Sequence, residues 1–128
     1  MKNILLDTNC YTAYLAGDER VLDALSEAES VYMSIFVLGE LFAGFRGGNK
    51  EPQNRDNLKR FLAKSTVTVL DATLETSEIF GDLKEKLKKS GTPLPINDVW
   101  IAAHTLETSS VLITYDAHFQ HITGLRKW

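Results

Sequence analysis

Cysteine is almost missing from this 128-residue chain, and Cys10 stands alone. One thiol cannot close an internal disulfide, so no cross-linked framework holds the fold, and the usage fits a reducing cytoplasm. No histidine lies near Cys10 in sequence, which makes it a small core residue rather than a nucleophile. Long apolar runs are missing too. None approaches the roughly 18 uncharged residues that a membrane span needs. The opening MKNILLDTN carries neither the apolar stretch nor the small-residue cleavage site of a signal peptide. Repeats, low-complexity tracts and linkers are absent, so residues 1–128 read as one domain, long enough to bury a real core.

An excess of positive charge is also lacking, since the net charge is −3. Its distribution tells more than its sum. Arg46, Lys50, Arg55, Lys59, Arg60 and Lys64 face only Glu51 and Asp56 over the same stretch, and Lys84 to Lys89 form a second basic run. Such runs are either solvated helix faces or rims that touch phosphates around an acidic centre.

Four short runs rich in Val, Ile and Leu read as strands: Ile4–Asp7, Val31–Ser34, Thr66–Leu70 and Val111–Thr114. They do not alternate with polar residues, a pattern that predicts parallel strands covered on both faces. Helical stretches separate them. Asp18 caps a helix through Ala28; Ser34 caps one through Arg46, stopped by Gly47-Gly48; another runs from Asn54 to Ala63. A longer helix runs from Thr73 to Ser90, ended by Gly91 and the Pro93-Leu94-Pro95 turn, and Asn97 caps Asp98 to Leu106. Alternating strands and helices predict an α/β sandwich around a mostly parallel sheet.

In such sheets the functional crevice lies beyond the carboxyl ends of the strands. Asp7 closes the first strand there, and Asp116 follows the last one. Asp98 opens the helix that feeds that last strand, and Glu40 lies in the second turn after Ser34. Singly, Asp7, Asp98 and Asp116 are explained by capping, a helix dipole and a turn. Glu40 is not, because its helix, IFVLGELFA, is apolar on nearly every side. An unpaired carboxylate buried there is costly, and no basic residue stands three or four positions away. Asp71 also ends a strand, but the helix beyond Thr73 accounts for it. Convergent carboxylates without an adjacent lysine or arginine suit a hard cation, Mg²⁺ or Mn²⁺, and hence phosphodiester hydrolysis.

The pieces LLDTN (Leu5–Asn9), SIFVLGELFAG (Ser34–Gly44), INDVWIAA (Ile96–Ala103) and ITYDAHF (Ile113–Phe119), in this order, resemble the PIN-domain nucleases. Within that family they are similar to the VapC-type toxins of toxin–antitoxin pairs. The resemblance covers essentially the whole chain and implies a PIN-like three-layer sandwich, with the Thr66–Leu70 strand toward an edge of the sheet. It implies that Asp7, Glu40, Asp98 and the more variable Asp116 are the metal-binding, catalytic acids, supported by Thr8, Asn9 and Thr114. It further implies Mg²⁺- or Mn²⁺-dependent endoribonuclease cleavage of transfer or ribosomal RNA, restraint by a VapB-like antitoxin, and a homodimer. Tyr115 departs from the asparagine common in relatives.

Other readings compete. Asp7-Thr8-Asn9 begins like the nucleophile motif of haloacid-dehalogenase-like phosphatases, but that chemistry wants an aspartate where Asn9 stands. A non-catalytic PIN module binding RNA or a protein partner has no need of the complete acid set. His118 and His121 have metal-like spacing without a second ligand pair, which disfavours zinc. His104, Trp100, Phe80 and Phe119 read as packed residues. Phe36, Phe42 and Phe45 encircle their helix, leaving apolar surface for a second subunit or an antitoxin helix.

Overall fold

The structure, a computed structural model, describes residues 2–128. Four parallel strands form one sheet in the order β3-β2-β1-β4: β1 (Asn3–Leu6), β2 (Ser30–Ser34), β3 (Val67–Leu70) and β4 (Val111–Ile113). Six helices flank it: α1 (Thr8–Leu15), α2 (Glu19–Glu27), α3 (Ile35–Gly47), α4 (Glu51–Leu62), α5 (Leu74–Ser90) and α6 (Ile96–Glu107). The sheet is wholly parallel, and β3 lies at its edge.

The interior strand β1 explains the register. Ile4, Leu5 and Leu6 are fully buried, and burying such a side chain is worth about 1.5–3 kcal/mol. A one-residue slip would exchange their two faces, so Leu5 is held opposite Tyr32 on one side and Leu112 on the other. Strand order runs outward from β1 to β3 and then jumps back to β4. The carboxyl ends of β1 and β4 therefore flank a crevice where the connections diverge.

Several sequence expectations need correcting. The strand rule fails for β3, whose Thr68 and Val69 are exposed, because an edge strand in this sheet is left uncovered on part of its surface. Helix α1 was implied only by the capping reading of Asp7 and was given no range in the sequence. Helix α4 starts at Glu51, ahead of Asn54, with Pro52 in its first turn, where a missing N–H costs nothing. Helix α6 starts at Ile96 with Pro95 as its cap residue, so Asn97 lies inside the first turn. The caps at Asp18, Ser34 and Thr73 do accept backbone N–H bonds as read from the sequence. Within the basic runs, Arg46 and Arg55 meet Glu51, Arg60 meets Asp56, Lys86 meets Asp82 and Lys89 meets Glu85, pairing half of their cations.

No helix among the described residues is long and apolar enough to cross a membrane. Trp100 is half-buried, stacked between Phe80 and Phe36 at centroid separations of 3.9 and 4.9 Å. Phe119 is buried.

Candidate active site

Asp7 follows β1 directly and serves two purposes at once. It caps α1, its Oδ1 accepting the Cys10 N–H at 2.8 Å, while its Oδ2 accepts the Thr114 hydroxyl proton at 2.5 Å. The capping explanation and the cleft explanation are thus both correct, because the cap position is also the sheet's carboxyl edge. The Thr114 oxygen in turn accepts the Asp116 N–H at 2.9 Å. One hydroxyl therefore fixes the distance between the ends of β1 and β4. Asp116 caps a short 3₁₀ turn (Ala117–His121), accepting the His118 N–H at 2.9 Å. His118 Nδ1 lies 2.8 Å from Asp116 Oδ1. A carboxylate only accepts, so that ring nitrogen carries the proton.

Glu40, expected to be buried and unpartnered, is half-buried and has a partner: the Thr8 hydroxyl donates to its Oε1 at 2.5 Å. The apolar helix around it is open on one side, with Ile35, Gly39 and Ala43 exposed. Asp98 sits in the first turn of α6. Together Asp7, Thr8, Asn9, Glu40, Asp98, Ile101, Asp116 and Phe119 line a single cleft of about 180 Å³. Every predicted acid is there, as are Thr8 and Asn9; Thr114 stands behind Asp7. The walls Ile101 and Phe119 escaped the sequence reading. Each lies three residues beyond a lining acid, the spacing of neighbours on one helical face, so the signal was present.

No lysine, arginine or histidine lines the cleft, and its electrostatics show it. Asp98 is pushed up to about 6, first by burial and then by the charges of Glu40, Asp116 and Asp7. Burial also raises Asp7, against the pull of its Thr114 and Cys10 hydrogen bonds. Asp116 moves the other way, lowered chiefly by the His118 N–H. Among the described residues no three His, Cys, Asp or Glu side chains are gathered closely enough to ligate one ion directly. The acids ring the cleft instead. Mg²⁺ keeps several waters and takes one or two carboxylates, so this all-oxygen donor set fits a hydrated hard cation.

Other candidates separate from this site. Buried Cys10 has its thiol raised to about 12 by burial and by Asp7, which leaves it un-ionised and inert. Asp71 contributes its backbone carbonyl to His104 Nε2 at 3.1 Å rather than a carboxylate to the cleft. His121 is exposed and outside the lining.

The model of the PIN domain matches residues 4–125. The chain belongs to the PIN-domain family. Its relatives within that family include Ribonuclease VapC1 of Haemophilus influenzae, 30% identical over 127 residues that cover 95% of this chain and 93% of the relative. Ribonuclease VapC2 of Rickettsia felis is 28% identical over 105 residues, covering 81% and 77%. Among solved structures, this PIN domain superposes on VapBC2 from Rickettsia felis, bound to a DNA fragment from its promoter, with a TM-score of 0.86 at 26% identity, covering 98% of this chain and 97% of the other. DNA-bound VapBC from Salmonella typhimurium gives 0.88 at 25% identity, covering 100% and 98%. PIN-domain ribonucleases of the VapC kind are metal-dependent nucleases.

Proposed function

We propose that this PIN domain is the toxin of a VapBC-type toxin–antitoxin pair, an endoribonuclease that hydrolyses phosphodiester bonds of transfer or ribosomal RNA with Mg²⁺ or Mn²⁺. The observation that carries the reading is the set of four carboxylates, Asp7, Glu40, Asp98 and Asp116, lining one cleft with no cation among the lining side chains. The roles follow from the bonding. Asp7 is held rigid by Cys10 N–H and Thr114 Oγ1, so its remaining lone pairs have a fixed direction. Thr8 Oγ1 fixes one oxygen of Glu40 and leaves Oε2 to the cleft. Asp116 stays ionised under the His118 amide and imidazole. Asp98, whose carboxyl keeps a proton up to about pH 6 in the bare cleft, gives that proton up when positive charge arrives. A divalent ion, when bound, offsets the mutual repulsion of the acids, acidifies water and screens phosphate charge. Ile101 and Phe119 narrow the cleft around the reacting group.

A VapB-like antitoxin partner, supported by the VapBC complexes on which the fold superposes, and a cytoplasmic homodimer complete the proposal. The deciding experiment is cleavage of total RNA by purified, antitoxin-free protein in Mg²⁺, Mn²⁺ and EDTA, with Asp7→Asn alongside. Discrete fragments that need metal and disappear in the variant are expected. Intact RNA in every lane with folded protein would sink the nuclease reading and leave the binding-module reading standing.

A further inference from the structure

Of the five arginines in the chain, four have their guanidinium groups engaged. Arg46 and Arg55 meet Glu51, Arg60 meets Asp56, and Arg126 donates to the Ser109 carbonyl. Arg20 is the exception: among the described residues it has no ion pair and no side-chain hydrogen bond, yet it is not loose. Its guanidinium lies 4.2 Å from the centre of the Trp128 ring and 5.5 Å from that of Tyr115, and the two rings are 5.1 Å apart. The nearby carboxylate that would be expected to pair with it, Asp18, is occupied otherwise. Asp18 accepts the Tyr115 hydroxyl at 2.9 and 3.1 Å and the Val21 N–H at 3.1 Å.

Arg20 is thus stacked, exposed and left with its in-plane N–H donors unspent. A stacked, pre-oriented guanidinium fork matches a phosphate. Its position is specific. Tyr115, against which it lies, sits between Thr114, which holds Asp7 from behind, and Asp116, which lines the acidic cleft. Exposed Lys127 is bridged through its backbone to Leu112 of β4, the strand that leads into Thr114 and Asp116, which sets a second positive charge beside the same strand. The cleft lining itself has no cation, so a polyanionic strand must find its anchoring charges at the rim.

Building on the nuclease reading, we propose that Arg20, stacked on Trp128 and Tyr115, forms with Lys127 a subsite for an RNA backbone phosphate neighbouring the one held in the cleft. It is a positioning site: it sets how the strand lies across the acids and does not touch the bond that breaks.

The test measures binding of a fluorescein-labelled single-stranded oligoribonucleotide by anisotropy over a NaCl series with Mg²⁺ present. All variants carry Asp7→Asn to stop cleavage, and wild-type cleavage of the same RNA is scored in parallel. Arg20→Met keeps the stem packed on Trp128 but removes the fork. It should weaken low-salt binding roughly tenfold and flatten the plot of log K against log salt by about 0.7, one phosphate on a single strand. Arg60→Met removes the same charge from an ion pair elsewhere and should leave the slope unchanged. Arg20→Lys should keep most of the slope while losing part of the affinity. Lys127→Gln, which disturbs no packed ring, should lower the slope in its own right. Unchanged slopes in both Arg20→Met and Lys127→Gln, changes no different from Arg60→Met, or no binding by the parent would overturn the proposal. Failure of the nuclease reading is separate, appearing as RNA left intact by wild type.

Discussion

Thr114 does more than its size suggests, because its single hydroxyl both donates to Asp7 and accepts from Asp116. Thr114→Val preserves shape and β-branching while removing both bonds. If Asp7 holds the metal as proposed, it should lower cleavage about 10–100-fold and raise the Mn²⁺ concentration needed for half-maximal cutting. Thr114→Ser should restore most of both. Asp98 makes the opposite kind of prediction. Its carboxyl is raised to about 6, so its contribution to stability is complete below the ordinary value of 3.8 and is lost as pH rises through 6. At neutral pH without metal, Asp98→Asn should therefore stabilise the fold, by on the order of 1 kcal/mol once solvent screening of this half-exposed group is allowed for. Thermal unfolding in EDTA checks it, and a lower midpoint in the variant would refute it. Asp7, Asp98 and Asp116 could be placed at the cleft from the sequence because each follows a strand or opens a helix at one edge, and Glu40 stood out as a carboxylate in an apolar helix. Their partners could not: Thr8 on Glu40 and His118 on Asp116 depend on how α1 meets α3 and how a short turn closes.

Helix α6 is tied to the ends of two strands through one buried side chain. His104 Nε2 must donate to the Asp71 carbonyl, so neutral Nδ1 accepts the Ser34 hydroxyl at 2.8 Å, and Ser34 in turn accepts the Phe36 N–H. A second ring proton would leave Ser34 facing two donors. Burial lowers the imidazole below its ordinary 6.5, so stability should be full above that pH and fall as pH drops through it. Urea midpoints compared between about pH 7.5 and 5.5 measure the slope. It should shrink in His104→Leu, whatever that variant does to absolute stability; an equal slope would assign the acid sensitivity to other groups. The elements with strong local signals, such as β1, α3 and α5, were legible. Helix α1 was not, because Thr8-Asn9-Cys10-Tyr11-Thr12 are poor helix formers, and the helix exists through burial of Cys10 and Tyr11. The exposed surface of β3 did not follow from its residues, since edge position is a property of the sheet and not of the strand; only the family resemblance placed that strand toward an edge.

Taken across the molecule, charge is arranged as a ring of acids within a surface on which some of the cations, Arg46, Arg55, Arg60, Lys86 and Lys89, are paired. Because the acids repel one another, any divalent ion they hold is linked to folding. Mn²⁺ should raise the unfolding temperature of wild type in a concentration-dependent way that EDTA reverses. Asp7→Asn should show a smaller rise, and equal rises would place the ion elsewhere. The basic runs, which the sequence left open as solvated faces or phosphate rims, are in part paired: Arg60 and Lys86 each meet a carboxylate one helical turn away. The strand order β3-β2-β1-β4 has a consequence in time. Strand β4 must dock beside β1, whose residues were made first, and only then does Thr114 reach Asp7. A ribosome that has not yet passed residue 116 carries a chain lacking its fourth acid and the hydroxyl that orients its first. The cleft is therefore assembled late, and its full acid set exists only once β4 has docked beside β1.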